Sequence, residues 1–349
     1  MIEGHGDDAW KYGVGIRADF SSNVRYGPLH EGLLAHLRST MGEVVHYPEA
    51  GAESLQLAAA EGYGVGVEQV LVTNGATEAI YLLAQAFRHL KATIYTPAFA
   101  EYEDACRSQG MAIAFRDWED LRRGEVCGEG LVFLCNPNNP TGTAISPDML
   151  VDMLGRYPDA LFVIDESYIE CTRSAESLLP LLRSHPNVLV VRSLTKSCRI
   201  PGLRLGFLIG REELIARLRA AKMPWSVNRP AIVAGLYIFR HPTDFLVSVD
   251  ALLAETALWR GQLADALRPN AAAGWRVHPT DTHYFLIDTP LALPSAALKL
   301  GLVARYGLLV RDASNFSRLG SNVIRVACQS PEHNLLLTKA LAECASIGS

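Results

Sequence analysis

Between residues 69 and 209, short apolar runs at 69–73, 92–96, 131–135, 160–164, 187–191 and 205–209 alternate with helical stretches. This rhythm predicts a mostly parallel sheet, because parallel strands need long crossovers and those crossovers cover both faces with helices. The stretch 76–87 shows the pattern well: Ile80, Leu83, Ala84 and Phe87 share one helical stripe, and the helix opens directly after Asn74-Gly75. Polar residues follow the apolar runs at Asn74, Asn139, Asp165 and Lys196. Ligands of open α/β sheets bind beyond the carboxyl ends of the strands, so these scattered positions are expected to converge on one site.

Composition narrows what that site can serve. The chain has 349 residues, 49% hydrophobic and 20% charged, enough for a large α/β unit and a smaller one. A net charge of -5 argues against nucleic acid or an anionic membrane as partner, since either favours a basic face. A small metabolite fits better. The first eight residues lack the basic start and apolar core of a signal peptide, and no apolar stretch approaches the ~20 residues of a membrane span, so the cytoplasm is the expected location. The seven cysteines (106, 127, 135, 171, 198, 328 and 344) contain no CxxC pair and are read as reduced thiols. The ten histidines show neither HxH nor HExxH spacing, so no metal site is expected.

The chemistry concentrates after the run 187–191, in Arg192-Ser193-Leu194-Thr195-Lys196 and Arg204. A lysine at the end of a buried strand can form an imine with an aldehyde, while the hydroxyls of Ser193 and Thr195 and the Arg204 guanidinium hold a phosphate. Alone, a lysine after a strand is an ordinary turn residue. With these neighbours the set suits pyridoxal phosphate. Asp165 ends an apolar run and needs a cationic partner; a pyridinium nitrogen supplies one, and a ring kept protonated there is an electron sink. Tyr168, three residues on, and Asn139, in Asn138-Asn139-Pro140, can both hydrogen-bond the ring's phenolate oxygen. The helix start at Gly75-Ala76-Thr77 offers free N–H groups to the phosphate, and Tyr102 can stack on the pyridine ring.

With these residues in place, the chain resembles the fold-type I pyridoxal-phosphate enzymes, the aminotransferases of class I and II, from Asn23 to Arg325. The resemblance implies an α/β fold: a large cofactor-binding domain (31–242) around a mostly parallel seven-stranded sheet, a smaller α/β domain (243–349) and an amino-terminal arm (1–30). A helix at 245–267 is read as the bridge into the small domain, whose strand-like runs are 284–287, 308–310 and 323–327. Within the family the chain is similar to the branch shared by histidinol-phosphate aminotransferases and the threonine-phosphate decarboxylases of cobalamin biosynthesis. His5 between Gly4 and Gly6, Asp19-Phe20-Ser21-Ser22-Asn23 and Met223-Pro224-Trp225-Ser226-Val227-Asn228 lean toward the decarboxylases. Tyr168, where the decarboxylases have phenylalanine, and the variable stretch 311–320 depart from them.

The resemblance also implies roles that residue chemistry alone does not. Tyr47 would reach the cofactor phosphate of a neighbouring subunit in a homodimer. Arg325 would hold the substrate carboxylate, and Arg311 a distal phosphate with His5 and Asn23 as helpers. The implied reaction is decarboxylation of L-threonine O-3-phosphate, with a histidinol-phosphate aminotransferase as the alternative. A regulatory module built on the same fold is a third possibility, because fold does not fix function; the chain has no helix-turn-helix extension or basic patch in its favour.

Overall fold

The computed structural model describes residues 6–125 and 129–347. Thirteen strands follow one another along these residues: β1 (Ala18–Asp19), β2 (Val70–Thr73), β3 (Ala92–Thr96), β4 (Ile113–Asp117), β5 (Gly130–Cys135), β6 (Ala160–Asp165), β7 (Val188–Ser193), β8 (Gly206–Gly210), β9 (Arg276–Val277), β10 (Tyr284–Asp288), β11 (Leu308–Leu309), β12 (Arg311–Asp312) and β13 (Val323–Ala327). Seven form the main sheet in the order β2-β8-β7-β6-β5-β3-β4. The pairs from β7 to β4 are parallel, and β8 runs antiparallel to both of its neighbours. This is the mostly parallel α/β architecture that the alternation predicts, with the seven strands that the resemblance implies.

Both faces of that sheet are buried, as the continuous apolar runs require. Val132, Leu134, Phe162, Ile164, Val188 and Val190 enter one core cluster, while their sequence neighbours Leu131, Phe133, Val163, Leu189 and Val191 enter the other. The helix Gly75–Ala86 packs in the second cluster through Ala79, Ile80, Leu83 and Ala84. β4 has no counterpart among the sequence runs. It is one of the two edge strands, and unlike the buried β2 at the other edge its residues are half-buried or exposed, so it shows no continuous apolar run.

A second sheet, antiparallel in the order β12-β13-β10-β9, packs against the helices Val249–Leu267 and Pro331–Ile347. The first of these begins four residues later than the expected 245–267. Pro242–Phe245 closes a separate 3-10 turn, Leu246 is extended (φ -60°, ψ 131°), and helix starts anew after Ser248. The amino-terminal arm is stitched to this part of the molecule: β1 pairs in parallel with β11, and Phe20 is fully buried beside Trp259, ring centroids 5.8 Å apart. Among the described residues no helix is long and apolar enough to cross a membrane. No group of three or more His, Cys, Asp or Glu is placed there to hold a metal ion. The six described cysteines are free; Cys127 lies outside the described residues.

Candidate active site

The carboxyl ends of β5, β6 and β7 open into a cavity of about 420 Å³, closed from the other side by β12, β13 and the arm. Asn139, Asp165, Tyr168, Ser193, Thr195, Lys196 and Arg204 line it, joined by Ala76 and Thr77 from the start of the helix Gly75–Ala86. The convergence expected from the strand ends is therefore present. Asn74 is the exception: it precedes the helix and does not line the cavity.

Asp165 ends β6 and is 3% exposed. Its Oδ1 accepts from the Ser167 backbone N–H at 2.9 Å and from Ser167 Oγ at 2.5 Å, and its Oδ2 accepts from the Tyr102 hydroxyl at 2.7 Å. Burial raises its pKa; the Ser167 and Tyr102 bonds oppose the shift without cancelling it. A carboxylate in this position is stabilised by a cation, which is what a protonated ring nitrogen provides. Tyr102 is not the stacking residue expected from the sequence. It is fully buried, stacks on Phe133 (centroids 5.2 Å, planes 17° apart) and lies behind Asp165, because the helix Glu101–Ser108 turns its first residues inward. Phe99, in the loop before that helix, lines the cavity where Tyr102 does not.

The expected phosphate end is tightly built. Ser193 Oγ and Thr195 Oγ1 lie 2.7 Å apart, and both line the cavity. Gly75 has φ +75°, and a Cβ there would come within 2.6 Å of the Arg204 guanidinium. A Cβ on Gly206 would meet the Gly75 carbonyl carbon at 2.7 Å and the Ala76 nitrogen at 2.8 Å. Backbone contact leaves no room for a side chain at Gly206, and the left-handed φ favours glycine at 75. Lys196 follows β7; its pKa is lowered to about 8, first by burial and then by the charges of Arg325 and Arg204.

Opposite stand two arginines. Arg311 and Arg325 are direct register partners on the antiparallel strands β12 and β13, 4% and 5% exposed. Like charges facing each other across strands repel, and burial amplifies the effect. Burial, followed by the charge of Arg325, pushes the Arg311 pKa down to about 9; burial also lowers that of Arg325. Arg311 donates to the Asp312 carbonyl and to Asn315 Oδ1, each at 2.7 Å. Arg325 donates to the Ser21 carbonyl at 2.7 Å and to Asn139 Oδ1, and its buried Nε has no protein partner. With Oδ1 so engaged, Asn139 offers the cavity its Nδ2 donor.

Six charged side chains line the cavity: Asp7, Asp165, Lys196, Arg204, Arg311 and Arg325. The excess of cations, the hydroxyl pair and the glycine-framed helix start together fit an anionic cofactor bearing a phosphate and a second anionic ligand. Asn23 lines the cavity, and its Nδ2 donates to the Tyr168 hydroxyl at 3.3 Å. Tyr47 is 88% exposed, stands 5.8 Å from the Trp225 ring and does not line the cavity of its own chain. His5 lies outside the described residues. Phe99, Asp7 and Phe316 line the cavity without having been anticipated; their sequence positions carry no motif, and only the folded loops and arm bring them in.

The model of the aminotransferase class I and II family matches residues 18–341. The chain belongs to that family. Pyridoxal phosphate is the family's cofactor, in agreement with the donor set just described. The threonine-phosphate decarboxylase of Salmonella typhimurium is 30% identical to the chain over 344 residues, covering 93% of this chain and 90% of the relative. The histidinol-phosphate aminotransferase of Symbiobacterium thermophilum is also 30% identical, over 88% of this chain and 85% of its own. Among solved structures, the L-threonine-O-3-phosphate decarboxylase of Porphyromonas gingivalis superposes with a TM-score of 0.87 at 34% identity, covering 94% of this chain and 99% of that one. These likenesses place the chain in the branch its sequence resembles and do not choose between the two activities.

Proposed function

We propose that the protein decarboxylates L-threonine O-3-phosphate to (R)-1-amino-2-propanol O-2-phosphate, a building block of the cobalamin side arm. The observation that carries this reading is the buried, directly opposed pair Arg311 and Arg325, which suits a substrate with two anionic groups. Arg325 would take the carboxylate and Arg311 the distal phosphate, with His5 and Asn23 of the arm as helpers. Bound pyridoxal phosphate would supply an aldehyde carbon for an amine and a ring that accepts the electron pair released at the substrate Cα. Lys196 would hold it, with Ser193, Thr195, Arg204 and the N–H groups at Gly75-Ala76-Thr77 around its phosphate. Asp165 would keep a proton on the ring nitrogen, and Asn139 and Tyr168 would hydrogen-bond its phenolate oxygen.

The residues then decide which bond breaks. A bond at Cα reacts when it stands perpendicular to the ring, so anchoring the distal phosphate at Arg311 selects the carboxylate as the group so placed. Carbon dioxide leaves from Cα, and a proton returns to the same carbon; Lys196, with an amine pKa near 8, is suited to deliver it. We place the enzyme in the cytoplasm as a homodimer in which Tyr47 reaches the neighbouring subunit's cofactor phosphate. In this reading residues 1–30 are an arm serving the substrate, 31–242 the cofactor domain and 243–349 the small domain.

A histidinol-phosphate aminotransferase is the second reading, favoured by the equal identity to that enzyme of Symbiobacterium thermophilum. It uses the same residues but removes the Cα proton instead. Incubation with L-threonine O-3-phosphate and measurement of carbon dioxide separates the two. Release supports the decarboxylase; no release, with 2-oxoglutarate-dependent amino transfer from histidinol phosphate, replaces it with the aminotransferase.

A further inference from the structure

The arm reaches the cavity through Gly6 and Asp7, and the next residue leaves it. Asp8 is 5% exposed and receives two hydrogen bonds, each 2.9 Å, from Nζ of Lys299, which is itself 6% exposed on the helix Ser295–Tyr306. Lys299 lies outside the cavity and has no part in the chemistry described above. Its Nζ also stands 5.4 Å from the centroid of the Tyr12 ring, so two residues of the arm meet one ammonium group. On the cavity side, the Asp7 N–H donates to Ser21 Oγ at 2.8 Å, and that hydroxyl donates to Asp19 Oδ1 at 2.6 Å. Gly6 rests so closely on the Ser21 carbonyl oxygen that an added Cβ would lie 2.3 Å from it.

We propose that Lys299 is a positioning residue that latches the arm over the active site through Asp8, holding Gly6 and Asp7 as part of the cavity wall before substrate arrives. A buried ion pair of this kind is weak evidence for global stability, because desolvation offsets much of its attraction. Removing Lys299 is a different matter, since it leaves the buried Asp8 carboxylate with the longer, 3.7 Å contact to the exposed Lys11 as its remaining ion pair. Asp8 caps the 3-10 turn Ala9–Lys11, none of whose residues is buried, so its carboxylate can regain water by swinging outward with that turn while the rest of the fold stays closed. Losing Lys299 therefore opens one wall of the cavity and spares Lys196, Asp165 and the cofactor cradle. The latch also explains how a short glycine-bearing segment adopts one path: Asp7, at φ +60°, is a strained position that needs fixed neighbours on both sides.

The latch as a determinant of substrate affinity rests on the proposed function; the seating of the arm does not. In the holoenzyme, Lys299→Met is expected to raise KM for L-threonine O-3-phosphate at least tenfold with kcat within threefold of wild type, and to speed amide hydrogen exchange in residues 6–12. The cofactor's visible absorption band should not move. Replacing both charges, as in Asp8→Leu with Lys299→Met, should recover much of the exchange protection, because no buried charge is then stranded. Unchanged exchange in Lys299→Met overturns the latch, and faster exchange with unchanged KM overturns its role in substrate binding. If the wild-type holoenzyme releases no carbon dioxide, the functional reading fails separately; hydrogen exchange and the binding of inorganic phosphate to the two holoenzymes then decide the latch, equal affinities and equal exchange overturning it.

Discussion

At the cofactor end of the cavity, strand ends of a single sheet supply the side chains: Asp165 closes β6, Ser193 closes β7, and Lys196 follows three residues later. At the substrate end, the wall comes from the arm and from β12 and β13, parts of the chain some three hundred residues apart, as the Arg325 bond to the Ser21 carbonyl illustrates. The first end is stiff because its residues sit on a sheet buried on both faces. The second is assembled from a stitched arm and a small antiparallel sheet carrying two opposed buried cations. The contrast teaches that one end sets a class of chemistry and the other can change its product without disturbing the first.

The largest test is at the cofactor end. Lys196→Ala should reduce turnover ~10²–10⁴-fold or more, the range expected for a lost proton-transferring group, and remove the imine absorption band. Substantial residual carbon dioxide release would refute the role given to Lys196. At the other end the losses should be smaller and should fall on substrate selection. A charge-assisted hydrogen bond contributes about 1.5–3 kcal/mol, so Arg325→Gln is expected to lower kcat/KM roughly 10- to 100-fold. Arg311→Gln should cause a loss of the same order for the phosphorylated substrate while leaving activity on unphosphorylated threonine nearly unchanged. Equal losses on both substrates, measured as kcat/KM, would detach Arg311 from phosphate recognition. Arg311→Gln should not shift the cofactor's absorption spectrum; a shift would break the separation of the two ends.

A pH series sharpens the same division, because Lys196 feels both ends: burial lowers its pKa to about 8, and Arg325 from the substrate end adds to the effect. Only the neutral amine attacks an aldehyde, so uptake of pyridoxal phosphate by cofactor-free protein should quicken about fivefold from pH 7 to 8 and level off near pH 9, at about tenfold in all. An ordinary lysine would still be accelerating at pH 10. The folded lysine is also short of a proton relative to the unfolded chain between about pH 8 and 10.5. Its contribution to stability is therefore unfavourable below that window and is relieved as pH rises through it. The Tm of cofactor-free wild type should accordingly gain on that of Lys196→Met as pH rises across the window; parallel curves would mean that the amine is not held at a lowered pKa.

The two ends also differed in how much the chain revealed of them. Lys196 with Ser193, Thr195 and Arg204 lies within a dozen residues, and Asp165 follows an apolar run whose both-face burial made it visible. Nothing local marks Arg311 or Arg325. Their significance comes from a cross-strand register, which no short window contains, and only family resemblance singled them out. β4 escaped for a related reason: at this half-buried to exposed edge of the sheet, packing asks little of its side chains. The Asn23 amide bonds Tyr168 across 145 positions of sequence. Such pairings are tertiary facts, and composition or periodicity carries no trace of them.

The aromatic residues make the smallest and most discriminating test. Phe99 and Tyr102 are separated by the start of one helix, and their rings meet edge to face, centroids 5.8 Å apart; yet one lines the cavity and the other lies sealed beneath it. If Tyr102 acts only through Asp165, Tyr102→Phe keeps the ring on Phe133 and deletes one hydrogen bond to the carboxylate. That bond opposes the burial-driven rise in the Asp165 pKa, so its loss should raise the pKa further and weaken the hold on the ring nitrogen's proton. A fall in kcat of about fivefold is expected, about 1 kcal/mol, with KM unchanged and the lower limb of the pH–kcat profile moved to higher pH. Phe99→Leu should behave differently, raising the dissociation constant for pyridoxal phosphate a few-fold while leaving that limb where it was. Were the two variants to exchange these phenotypes, Tyr102 would be the residue touching the ring after all, and the inward turn of its helix would not describe the working enzyme.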